Sequence, residues 1–197
     1  MCSHRDALIS EKAQFCKNDP RVMADNSGSM FDEKKNCLLL EYCNYPYYIS
    51  YPEGEVLEGP NPPVSGEETV LFLQYLNRAQ PLPPRRKWLS FLELPGGELH
   101  NLPFQKEAVI PLAAKYGNNI DEFVTRNEGY GEPMKAGDAA FIIPVFPRLE
   151  MAVVIWGKDD EFPARANILF DVASAYHLPT ASLYVLGIVV VKRLYQI

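Results

Sequence analysis

The chain is short of positive charge. Nineteen Lys and Arg stand against 25 Asp and Glu, giving a formal net charge of −6. Phosphate recognition needs clustered cations, so this balance argues against nucleic acid as the main partner. The one basic cluster, Arg85-Arg86-Lys87, follows Pro81-Leu82-Pro83-Pro84 and reads as a solvated loop tip. Long apolar runs are also missing. No cationic and apolar leader follows Met1, and no run approaches the roughly 18 residues that span a bilayer. The longest, Leu183 to Val191, ends in Lys192-Arg193. These absences predict a soluble, cytoplasmic protein with no membrane partner.

Cysteine is sparse. Cys2, Cys16, Cys37 and Cys43 are spaced by 14, 21 and 6 residues, which matches no Cys-x-x-Cys zinc or iron–sulfur pattern. Buried reduced thiols are the expectation. No Gly-x-Gly-x-x-Gly or Walker loop offers a phosphate cradle, and no Gly-x-Ser-x-Gly elbow offers a nucleophile. Neither His-x-x-x-His nor Asp-x-Asp-x-Asp points to a metal.

What is present is an ordinary globular composition, 47% hydrophobic, with 17 prolines and 11 tyrosines favouring strands, turns and rigid loops. At 197 residues the chain can bury a sizeable core without staples. Arg5 to Lys17 reads as a weakly amphipathic helix that Asn18-Asp19-Pro20 ends, and Asp25 to Lys35 as a polar loop. Residues 1–35 thus form an N-terminal helix and loop, and 36–197 a single α+β domain. Cys37 to Tyr51 is β-like, split by Pro46, with Val56-Leu57 as a short return. Ser65 opens a helix, with Glu67 and Glu68 favourable in its first turn. Phe104 to Tyr116 and Ile120 to Asn127 read as helices, and Thr180 as the cap of a last one. Ala139 to Val145 and Leu149 to Trp156 are the strongest strands. Their short link through Phe146-Pro147-Arg148 makes an antiparallel hairpin. Ala164 to Phe170 fits strand or helix. The expected fold class is α+β, a mostly antiparallel sheet centred on that hairpin and packed against four to five helices.

The candidate site lies mainly in the last third. Asp159-Asp160-Glu161 crowd three carboxylates onto one loop. Oxygen ligands of this kind suit Mg²⁺ or Ca²⁺, and unequal environments can divide such carboxylates into acid and base. Asp138 and Asp171 add ligands, and His177 a proton carrier or nitrogen ligand. Pro95-Gly96-Gly97 allows positive φ or close backbone approach, with His100 just beyond. Trp88, Phe91, Trp156 and Phe162 supply an aromatic wall for a planar or apolar ligand. The bland alternative is a solvated turn at 159–161, a braced Asp171 and a buried structural His177.

Three blocks carry a likeness: Trp88 to Gly97, Gly137-Asp138-Ala139-Ala140, and Trp156 to Pro163 continuing through Leu169-Phe170-Asp171 to His177-Leu178-Pro179-Thr180. Together they resemble the family named domain of unknown function 3786, from about Leu38 to the C-terminus. The resemblance implies an anaerobic bacterial or archaeal setting and brings no established activity or catalytic residue. Some relatives join the domain to a four-cysteine iron–sulfur module, which the cysteine spacing here does not reproduce. Acidic residues typical after the Pro-Thr step are replaced by Ala181-Ser182.

Three functional readings result. The first is a ligand-binding or accessory module in anaerobic metabolism, with a pocket between the Pro-Gly-Gly turn and the acidic loop. The second is a metal-assisted hydrolase or lyase using 159–161, Asp171 and His177 with a divalent cation. The third is a protein-interaction subunit using the tyrosine-rich edge at Tyr45 to Tyr51. Sequence leaves the oligomeric state open.

Overall fold

A computed structural model describes residues 4–195; Cys2 lies outside them. Two antiparallel sheets carry the fold. The larger has five strands in the order β4 (Trp88–Ser90), β8 (Arg165–Asp171), β7 (Leu149–Trp156), β6 (Ala139–Phe146) and β5 (Glu132–Pro133). The smaller runs β1 (Met30–Asp32), β2 (Cys37–Tyr42), β3 (Tyr45–Ser50). Around them lie α1 (His4–Phe15), α2 (Pro20–Ser27), α3 (Gly66–Arg78), α4 (Asn101–Phe104), α5 (Ile110–Tyr116), α6 (Ile120–Asn127), α7 (Ser174–His177) and α8 (Thr180–Leu194). The fold class is the expected α+β one, centred on the β6–β7 hairpin.

That hairpin pairs Ala139 with Ile155 and closes at Phe146 and Leu149, with a bulge between Pro144 and Phe146. Its near-continuous apolarity corresponds to burial at almost every position of both strands, so side chains of both faces enter packed surroundings. Ala164 to Phe170 resolves as strand. β8 sits between β4 and β7, where backbone pairing on both sides is available only to an extended chain.

Aromatic packing joins the two sheets. The Cys43 amide donates to the Val145 carbonyl, and Phe146 stacks on Tyr75 of α3 with ring centroids 4.3 Å apart. Tyr42, Tyr47 and Phe72 complete the cluster. Burying each such ring stabilises the fold by about 1.5–3 kcal/mol. Glu11 of α1 accepts both Arg78 Nη atoms at 2.6 and 2.8 Å, tying α1 to α3.

Local corrections have local causes. Asp19 ends α1's segment but also caps α2, its Oδ1 accepting from Arg21 N with Pro20 at the first position. The expected loop at 25–35 therefore contains the end of α2 and strand β1. Shortness and polar flanks concealed β1, which forms because β2 offers it a partner. The β2–β3 turn falls at Cys43-Asn44, both at positive φ, and Pro46 lies within edge strand β3. Helix from Asn101 to Tyr116 is interrupted by a π-turn at Gln105–Val109. Thr180 is the first residue of α8 rather than its cap; its Oγ1 donates to the Pro95 carbonyl at 2.7 Å.

Candidate functional site

The residues singled out from sequence divide among three places. The acidic loop follows β7 and precedes β8, where Trp156 pairs with Arg165. Asp171 ends β8 at its other end, paired with Trp88. Seven strand residues separate the two ends by about 20 Å. The Pro95-Gly96-Gly97 turn lies against the N-terminus of α8 through Thr180. The acidic loop is placed near the opposite end of α8: Lys158 N donates to Gly117 O, and the adjacent Tyr116 hydroxyl donates to Leu194 O. Fifteen helical residues span about 20 Å, so turn and loop do not face each other across one pocket.

Each place has its own logic. Asp159 Oδ1 accepts from Glu161 N at 2.8 Å and Phe162 N at 2.6 Å. These backbone donors, Phe162 first, hold its carboxyl below the usual carboxylate range. Asp160 and Glu161 are exposed. The loop is an Asx turn in solvent. Among the described residues no group of three or more His, Cys, Asp or Glu is placed to hold a metal ion. The convergence that the metal-assisted reading requires is absent there.

The glycine turn is built for close packing. Gly96 has φ +72°, and a Cβ on Gly97 would lie 2.0 Å from the Phe91 carbonyl oxygen. His100 stacks on Tyr184 at 5.6 Å. The proposed aromatic wall is dispersed. Phe91 is buried against Phe104, while Trp156 and Phe162 flank the Arg165 guanidinium at 5.9 Å each.

Asp171 and His177 do come together, on the proline loop rather than the acidic one. Asp171 Oδ2 accepts from Arg85 N at 3.0 Å and Oδ1 from Ala173 N at 2.8 Å. His177 Nδ1 accepts from Gln80 N at 3.3 Å. Both side chains are 1% exposed. Burial, then the charge of Arg148, lowers the His177 pKa; the Leu82 carbonyl and Asp171 oppose this more weakly. An accepting Nδ1 requires the neutral tautomer with the proton on Nε2. The pair thus clamps the connector from Gln80 to Arg85. Arg86, beyond it, has φ +54° and binds Glu132 through two nitrogens at 2.9 and 2.6 Å.

A polar concavity with a buried ion pair lies elsewhere. A groove of about 450 Å³ runs between the segment Pro63 to Glu68, Glu107 and one face of α8. At its floor Arg193 Nε donates to Glu68 Oε1, with side chains 9% and 7% exposed. Glu68 also accepts from the Tyr42 hydroxyl at 3.0 Å and from Ser65 N at 2.7 Å. Arg193 lies 4.8 Å over the Tyr42 ring. Burial works against the Arg193 charge, but Glu68 outweighs it and raises the pKa. Cys43, close enough to feel both charges, is pushed up to about 12 chiefly by burial and stays a thiol. Along α8 the wall is Tyr184, Val185, Ile188, Val189 and Lys192, positions that share a helical face. The Tyr184 hydroxyl donates to Glu107 Oε1 at 2.9 Å.

Sequence reasoning missed this groove. Glu68 was visible as a first-turn carboxylate and Arg193 as the charge ending an apolar run. The capping box at Ser65 and Glu68 was the only local signal. Nothing local joins positions 125 residues apart.

The tyrosine edge is partly covered by its own chain. Leu57 N donates to Tyr48 O, Ser50 N donates to Glu55 O, and Val56 makes an isolated bridge to Ile49, where a short return strand was expected. No helix is long and apolar enough to cross a membrane among the described residues.

The model of the family described as Domain of unknown function (DUF3786) matches residues 19–193, spanning all of these features. The chain belongs to that family. No curated protein and no solved structure matches it.

Proposed function

We propose that this member of the family is a ligand-binding or accessory module whose site is the α3–α8 groove, in place of the pocket expected beside the acidic loop. One observation carries the reading: an ion pair, Glu68–Arg193, is buried at the floor of a groove large enough for a small molecule. Burying such a pair brings little net stability, so its presence at the floor of a concavity favours a recognition role. Apolar Val185, Ile188 and Val189 offer contact area, while Ser65, Tyr184 and Lys192 offer polar contacts.

The experiment is a thermal-shift screen of small polar compounds against the wild type and Val185→Trp, whose indole fills the groove. Hits that stabilise the wild type and lose that effect in the variant support the reading. Hits that stabilise both equally place binding elsewhere.

A further inference from the structure

Away from the groove, the geometry points to a conformational device: the connector from Gln80 to Arg85 is a strap that His177 holds shut at neutral pH and releases in acid, uncovering Ser174 and its own imidazole.

The argument starts from the strap's donors. Pro81, Pro83 and Pro84 carry no amide hydrogen, which leaves three N–H groups in the segment. Leu82 N is spent locally, on the Gln80 carbonyl at 2.7 Å. The other two go to side chains: Gln80 N to His177 Nδ1 at 3.3 Å, and Arg85 N to Asp171 Oδ2 at 3.0 Å. No ladder of helix or sheet holds these residues. Gln80, Pro81, Pro83 and Arg85 are exposed, so packing holds only the inner side. The strap therefore hangs on two acceptors, and both are titratable. Its ends are fixed. Ala79 N donates to Tyr75 O at the close of α3, and Arg86 is bound by Glu132 and Glu150. Motion is thus confined to the residues between.

The groups beside the strap are under-bonded. Ser174 Oγ and His177 Nε2 are buried and make no hydrogen bond. Three residues apart on α7, they share a face. Water that reaches them when the strap lifts supplies the missing partners, which lowers the cost of opening.

Charge sets the direction of the response. His177 is faced by Arg148 from the β6–β7 link, Asp171 from the end of β8, the Leu82 carbonyl from the strap, and the Tyr75 ring of α3 at 6.0 Å. The first turn of α8 brings no charge. The one charged side chain of β7, Glu150, is held by Arg86. A proton on Nδ1 turns the acceptor of Gln80 N into a donor facing a donor. It also sets a second positive charge near Arg148. Burial, then Arg148, accordingly lowers the pKa of the closed form. With the strap open the ring is hydrated, and its pKa returns to about 6.5. The open form takes up the proton first. Below that pH the open fraction grows by about tenfold per pH unit, until the closed form protonates as well.

The test is amide hydrogen exchange read by NMR between pH 7.5 and 5.5, with rates corrected for the intrinsic pH dependence of exchange. Protection at Gln80 and Arg85 is expected to fall by roughly 5- to 10-fold as pH drops, while the β6–β7 ladder keeps its protection. In His177→Asn, which keeps an acceptor without titrating, that fall should vanish. The wild type supplies a second check that needs no variant: the fall must follow the titration of the His177 ring signals. Constant protection at Gln80 and Arg85 would overturn the inference. So would an equal loss across the β6–β7 ladder, which means global unfolding, or a fall that persists in His177→Asn.

Discussion

Two groups of carboxylates in this protein behave in opposite ways. Asp159, Asp160 and Glu161 are adjacent in the chain and conspicuous, and they end in solvent, with Asp159 spent on an Asx turn. Glu68, beside Glu67 in the first turn of α3, ends buried against an arginine from the far end of the chain. Charge density along a sequence is therefore a poor guide to electrostatic work in this fold. Three crowded carboxylates repel and are best solvated, whereas a helical carboxylate can be desolvated if one cation and several donors meet it.

Breaking the buried pair gives the largest expected effect. Arg193→Ala leaves Glu68 buried without its cation and should cost about 3–5 kcal/mol in urea unfolding. A loss below about 1 kcal/mol would place the pair in water and remove the contrast. Next comes the glycine turn, another conspicuous feature that proved structural. Gly97→Ala forces a Cβ into the Phe91 carbonyl and should cost about 1–3 kcal/mol, detectable as a lowered melting temperature. Unchanged stability would mean the turn is loose enough to open to a ligand.

His177 tests a third conspicuous residue through pH. Its folded pKa lies below its unfolded value, so the unfolded chain protonates first as pH falls. The stability associated with neutral His177 is complete above the ordinary histidine value of about 6.5. It declines as pH drops from there towards the lower folded value. His177→Asn, which keeps an acceptor for Gln80 N without titrating, should flatten that decline in denaturation midpoints between about pH 5 and 7. A decline of equal depth in the variant would assign the pH dependence to other groups. The smallest effect is expected at the acidic loop. Asp160→Asn and Glu161→Gln should each shift stability by less than about 0.5 kcal/mol and leave groove binding unchanged. A larger change in either property would return function to the loop.

How much was legible follows from the range of each interaction. The β6–β7 hairpin is a local event, and two apolar runs with a short link announced it. The Ser65 start of α3 and the return of the chain at Val56, an isolated bridge, were equally local. β1 was not legible, because three residues inside a polar stretch become strand only beside β2. The Asp171 and His177 roles were half legible. The bland alternative had Asp171 as a brace and His177 as a buried structural residue, but their shared object, the Gln80–Arg85 connector, lies about 90 residues upstream. Their convergence on the acidic loop failed for a geometric reason: a strand as straight as β8 keeps its two ends apart. The groove was hidden altogether, since it is assembled from the first turn of α3, the π-turn region at Glu107 and one face of α8. Family membership was legible from blocks of side chains whose roles proved mainly structural.

The central claim, that the binding site is the groove over Glu68–Arg193 and not the acidic loop, is most directly tested by crystallographic fragment soaking of the wild-type protein. The account predicts ligand density against Tyr184, Val189, Lys192 and Arg193. Density at Asp159 to Glu161, with the groove holding only solvent, would contradict it.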